Sequence, residues 1–162
     1  MKNISFSTFI LSAIVIMNSC QKKEKADAPV NVSELPAIEQ AINNAIGWAK
    51  NKNFSMLYDV IANDSNYLEV DPGNIIIKGI DEFKKNEAFW KDPGFKAIRY
   101  EIRDLKINVS KSGTVAWFYC ILDDINEWKG QAANWENTRW TGVLEKRGGK
   151  WAIVQMHFSF AK

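Results

Sequence analysis

At 162 residues, with 21 Lys and Arg against 19 Asp and Glu, the chain has a formal net charge of +2. That balance leaves no surplus for a polyanion, so nucleic acid is not an expected partner. Seven Trp, nine Phe and 46% hydrophobic residues supply area for one core, while two Cys and one His cannot make a zinc set, and no metal or cofactor is expected.

Lys2 is followed by an almost uncharged apolar run from Ile4 to Met17, then Asn18-Ser19-Cys20. The run is too short to span a bilayer comfortably and reads as an export signal over residues 1–19. A small residue just before a cysteine resembles a bacterial lipoprotein cleavage site, although Met17 and Asn18 depart from the usual choices. Cys20 is then the lipidated mature N-terminus, holding the protein to a membrane of the bacterial cell envelope, periplasmic or surface-exposed; an ordinary secretory signal is the alternative. Residues 20–32 are polar and aperiodic, with Lys22, Lys23, Glu24, Lys25 and Asp27 before Pro29, and read as a tether. Residues 33–162 remain as one domain.

Leu35, Ile38, Ile42, Ala45, Ile46 and Ala49 recur at helical spacing, with Ser33 and Pro36 at the entry, which predicts a helix over about 34–51. Phe54, Leu57, Tyr58 and Ile61 repeat the pattern in a shorter helix. Tyr67 to Asp71 alternate as a strand that stops at Asp71-Pro72-Gly73-Asn74, and Ile75-Ile76-Ile77 begin its return. Gly79 precedes a third helix, about 80–91, closed by Asp92-Pro93-Gly94.

Everything after it is β. The runs 95–109, 114–125, 135–146 and 150–160 are rich in aromatic and β-branched residues and joined by turn signals. Helices first and an antiparallel sheet last give an α+β class, with helices covering one face of a strongly curved sheet. In the first long strand the apolar alternation changes parity, so a bulge is needed near Arg103-Asp104. Cys120 alternates with Phe118 and Leu122 and is read as a buried, inert thiol.

The closing stretch, Arg139, Thr141, Val143, Leu144 and Lys146 running into Gly148-Gly149-Lys150-Trp151, then Ile153, Val154, His157 and Ser159, resembles the last hairpin of SnoaL-like domains of the nuclear transport factor 2-like superfamily. The likeness extends over two N-terminal helices, the hairpin with Leu68-Glu69-Val70-Asp71-Pro72-Gly73, a helix and the long strands. It implies a cone-shaped, cystatin-like α+β roll with a pocket between helices and sheet, and a homodimer through the outer sheet face. The superfamily includes isomerases, cyclases, dehydratases and kinase-associated oligomerisation domains, so the fold leaves activity open. The hairpin is also similar to that of calcium/calmodulin-dependent kinase association domains, which implies a non-enzymatic assembly role as the alternative.

The residues expected to line a pocket for a small, partly apolar molecule are Tyr58, Tyr67, Phe83, Glu87, Trp90, Phe118, Trp140, Met156 and Phe158. Glu87 falls between Ile80, Phe83 and Trp90 on a helical wheel. It is either a carboxyl raised by a hydrophobic cavity or one whose head escapes to solvent or pairs with Arg99 or Arg139. Glu69 and Asp71 share a face with Tyr67, roughly where isomerase relatives place a base, but a solvated strand end is the favoured reading. The isomerases' second, proton-bearing acid has no convincing match on the middle strands, which ranks binding above proton-transfer catalysis. Asp123-Asp124 is only a weak hint of a cation. A three-residue turn at Gly148-Gly149 would pair Trp140 with Phe158 and Thr141 with His157, gather Trp140, Leu144, Val154, Met156 and Phe158 inward, and turn Arg139 and His157 outward.

Overall fold

The structure, a computed structural model, describes residues 32–160. The expected signal, Cys20 and nearly all of the tether lie outside the described residues. Among those described, no helix is long and apolar enough to cross a membrane.

A 3-10 turn at Val32–Glu34 leads into α1, Leu35–Gly47, which tightens into a second 3-10 turn at Trp48–Asn51. Pro36 sits in the first turn of α1, where its missing N–H costs nothing. Ile38, Ala41, Ile42 and Ala45 form the buried stripe. Asn53 caps α2, Phe54–Tyr58, by accepting a hydrogen bond from Met56 N at 3.1 Å. The helix expected over 80–91 is two short ones, α3 at Ile80–Lys84 and α4 at Glu87–Lys91, broken at Lys85-Asn86.

The strands are β1 at Leu68–Val70, β2 at Ile76–Lys78, β3 at Phe95–Val109, β4 at Val115–Trp128, β5 at Gln131–Ala132, β6 at Trp135–Arg147 and β7 at Lys150–Ser159. They form one sheet in the order β2-β1-β7-β6-β4-β3, with β5 paired to β4. β1 runs parallel to β7, and every other pairing is antiparallel. Short β5 lies in the connection between β4 and β6. The sheet curls strongly around the helices, an α+β cone with a cystatin-like roll.

Four register shifts shape the cone, two in the β3–β4 pair and one each in β4–β6 and β6–β7. β3 slips register between Arg103 and Lys106, with Asp104 at φ 54°, which supplies the expected bend. On the closing hairpin Arg147 faces Lys150 across a two-residue Gly148-Gly149 turn, both glycines at positive φ. The expected pairing of Trp140 with Phe158 and Thr141 with His157 is present, but it arises from a bulge at Val154 rather than from a longer turn. Trp151 and Ile153 therefore point inward before the bulge, and Met156 and Phe158 after it. Val154, expected in the core, is the displaced residue and is half-buried, while Arg139 and His157 are exposed.

The core lies between α1 and the concave face of β4, β6 and β7, where Phe118, Cys120, Leu122, Trp140, Leu144 and Ile153 meet Ile38 and Ile42. Burial pushes the Cys120 thiol up to about 12, so it stays protonated and inert. Glu34 ties the start of α1 to the closing hairpin, accepting from Lys146 Nζ at 2.7 Å and Trp151 Nε1 at 2.8 Å.

Candidate functional site

Between the helices and the curled sheet lies a cavity of about 130 Å³. Its inner wall is apolar: Ala45, Ile46 and Ala49 from the first helical segment, Leu57, Phe83, Leu122, Met156 and Phe158. It opens into a wider mouth of about 350 Å³ that adds Asn86, Phe89, Asn126 and Ala133. Between the two is a neck shared by Glu69, Asp71, Asp124, Trp90, Phe95 and Trp135.

Strand periodicity places the acids. On β1 and at its two ends, Tyr67, Glu69 and Asp71 step along one face from core to opening. On β4 the inward series Phe118, Cys120, Leu122 is apolar and then turns polar at Asp124 and Asn126. Tyr67 is buried, its ring edge-on to Phe83 at 5.1 Å, and its hydroxyl donates to Glu69 Oε2 at 2.5 Å.

Burial, with Asp71 beside it, raises the Glu69 carboxyl well above the ordinary range, to about 8, and burial likewise raises Asp71. Burial also raises Asp124 on the opposite wall. The desolvated Tyr67 hydroxyl, facing Glu69, is pushed far up and acts as a donor only. Asp71 Oδ1 is buried and has no hydrogen-bond partner. Among the described residues, no group of His, Cys, Asp and Glu converges closely enough to hold a metal ion. The arrangement is an apolar chamber with one wet, acidic rim.

Four of the expected lining residues, Phe83, Trp90, Met156 and Phe158, line the cavity. Tyr67 stands one layer behind it and reaches it through Glu69. Phe118 and Trp140 do not line it: Trp140 stacks on Phe158 at 5.4 Å and meets Phe118 edge-on at 4.9 Å, inside the solid core. Tyr58 and Glu87 also lie elsewhere, the Tyr58 hydroxyl donating to Glu87 Oε1 at 2.6 Å. Lys91 bridges the other Glu87 oxygen, and these two bonds hold Glu87 below its ordinary value rather than above it. The stretch is two short helices broken at Lys85-Asn86 rather than one; Phe83 and Trp90 still meet, their rings 5.2 Å apart, while Glu87 turns to Tyr58 and Lys91. Glu69 and Asp71 are the opposite correction, since the strand end favoured as solvated is the polar wall of the cavity. Asp124 was legible as the next step of the Phe118, Cys120, Leu122 alternation.

A curled sheet wrapped over N-terminal helices with a hollow beneath is the architecture of NTF2-like proteins. The chain belongs to the SnoaL-like domain family, whose sequence pattern matches residues 38–162. Its structure is similar to that of an NTF2-like family protein from Streptomyces avermitilis, at 14% identity and TM-score 0.68 over 80% of this chain and 97% of that one. An NTF2-like protein of unknown function from Pseudomonas putida KT2440 gives 16% identity and TM-score 0.63 over 82% and 89%. One with a cystatin-like fold from Novosphingobium aromaticivorans gives 13% and 0.60 over 80% and 83%. At these identities the likeness speaks to fold alone. No curated protein matches the sequence.

Proposed function

We propose that this chain binds a small, partly apolar molecule in its cone, with the apolar body in the inner chamber and a polar group at the neck. One observation carries the reading: an aromatic-walled hollow meets a carboxyl, Asp71, with a buried oxygen that nothing in the protein satisfies. Trp48, Trp90 and Trp135 all line the hollow, so occupancy is readable in intrinsic fluorescence. A small-molecule screen is expected to give saturable fluorescence changes that disappear in Ala45→Leu, whose side chain fills the chamber. Binding that survives Ala45→Leu unchanged places the ligand elsewhere and sinks the reading.

Proton transfer is a second reading. Glu69 holds its proton near neutrality beside a second ionisable carboxyl, so an acid and a base stand side by side at a ligand's edge. In that case Glu69→Gln and Asp71→Asn remove turnover while leaving ligand binding measurable.

We also propose that the cone is held at a bacterial membrane through lipid on Cys20, on the strength of the apolar run that ends there. Cys20→Ser is expected to move the protein from the membrane to the soluble fraction. The proposed homodimer rests on the outer sheet face, where Trp117 and Tyr119 are exposed. Sedimentation at several concentrations checks it, with Trp117→Glu expected to shift the species to monomer; a ring of many copies favours the assembly role instead.

A further inference from the structure

The neck of the cone has a one-sided chemistry. Three carboxyls, Glu69, Asp71 and Asp124, stand there among the rings of Trp90, Phe95 and Trp135. No Lys, Arg or His among the described residues lines either the chamber or the mouth. The ammonium of Lys52 comes within 6.0 Å of the Phe95 ring centre, but it donates to the Asp92 carbonyl at 2.9 Å.

Donors at the neck are few, the Asn86 and Asn126 amides at the mouth and the proton that Glu69 shares with Asp71, and they leave two acceptors unmet. Asp71 Oδ1 is buried without a partner, and so is Asn126 Oδ1 at the mouth, on a side chain only 8% exposed. Asn126 turns its amide nitrogen to the Asp124 carbonyl at 3.4 Å, which leaves the oxygen as a pure acceptor. Two orphaned acceptors beside carboxyls that do not converge on a metal call for a ligand bringing several N–H groups.

We propose that the neck recognises an organic cation, an ammonium group carried on a small aryl or alkyl body. The proposal rests on the binding reading above and names its ligand class. An ammonium offers up to three donors to Asp71 Oδ1 and Asn126 Oδ1, and its charge is attracted by the ionised aspartates of the neck and by the aromatic rings beside them. A hydroxyl offers one donor and no charge. A carboxylate ligand meets repulsion from the neck and brings no donor at all. The chamber of about 130 Å³ is close to the cavity of about 150 Å³ that holds a benzene ring, so an aryl body fits inside while its ammonium stays at the neck.

Three probes of one shape separate the possibilities: benzylammonium, benzyl alcohol and benzoate, titrated calorimetrically into the full mature chain. Benzylammonium is expected to bind about tenfold or more tighter than benzyl alcohol, as one partly desolvated ion pair with ring contacts provides, and benzoate weakest. In Asp71→Asn/Asp124→Asn that preference is expected to collapse while benzyl alcohol still binds, which also shows that the variant is folded. Equal or tighter binding of the alcohol or benzoate overturns the cation inference and leaves the cavity reading intact. Ammonium binding that persists in Ala45→Leu overturns it too, because the cation is then held at some other acidic surface. If none of the three saturates, the inference fails, and the fluorescence screen on the same protein decides the cavity reading separately.

Discussion

Tyr67, just before β1, and Glu69 on it stand two residues apart on one face, the tyrosine hydroxyl donating to the carboxyl at 2.5 Å where neither side chain meets much water. The bond fixes which Glu69 oxygen is turned from Asp71 and keeps a buried acid from being unpartnered. Tyr67→Phe removes the donor and keeps the ring against Phe83. Its expected cost is about 1–3 kcal/mol, the penalty of a buried polar group left without its partner, measured by urea denaturation.

The raised Glu69 carboxyl makes stability depend on pH with a definite sign. In the unfolded chain Glu69 gives up its proton near 4.5, whereas the folded protein holds it to about 8. The folded state binds more protons across that interval, so this contribution is full in acid, is lost as pH rises from about 4.5 to about 8, and is flat above. Glu69→Gln cannot titrate. Thermal melts from pH 5 to 9 are expected to show the variant gaining on the wild type by on the order of a few kcal/mol toward the alkaline end. Parallel curves would remove Glu69 as a buried acid.

Gly142 faces Phe118 across the β4 and β6 pair, and a Cβ there would lie 2.5 Å from the Phe118 ring and 2.8 Å from the Gln155 carbonyl. Gly142→Ala therefore forces the core apart. The expected loss is about 1–3 kcal/mol in chemical denaturation, with Phe118→Leu in the same chain recovering part of it.

Glu87 lies on the rim of the fold rather than in the site. Glu87→Gln breaks an ion pair with Lys91, whose side chain is mostly exposed, so stability is expected to change by less than about 1 kcal/mol. Ligand affinity in the fluorescence assay is expected to stay at the wild-type value. A large loss of binding would put the carboxyl back at the cavity.

The sheet was legible because each long strand alternates at period two, and even the bend at Arg103-Asp104 announced itself as a change of parity. The closing hairpin's register was legible from the demand for a core, although the device that sets it was not. A bulge at Val154 leaves no mark in a run of Ile153, Val154 and Gln155, where any of the three suits a strand. The site was harder. Alternation says that Tyr67, Glu69 and Asp71 share a face, but only pairing with β7, almost ninety residues away in the chain, decides that this face is covered. Glu87 misled because a wheel assumes one unbroken helix, and Lys85-Asn86 carries no Pro or Gly to announce the break.

The parallel pairing of β1 with β7 has a consequence for how the protein comes into being. Glu69 lies opposite Met156, so the strand bearing the acid pair finds its inner neighbour only when the last described strand has been made. A ribosome-bound or prematurely terminated chain has β3, β4 and β6 available to pair and no wall for the carboxyls to lean on. Competence to hold a ligand is thus acquired late and all at once, and clipping the final dozen residues, which takes Trp151, Ile153, Met156 and Phe158 out of the core, is expected to unfold the protein rather than merely empty its site.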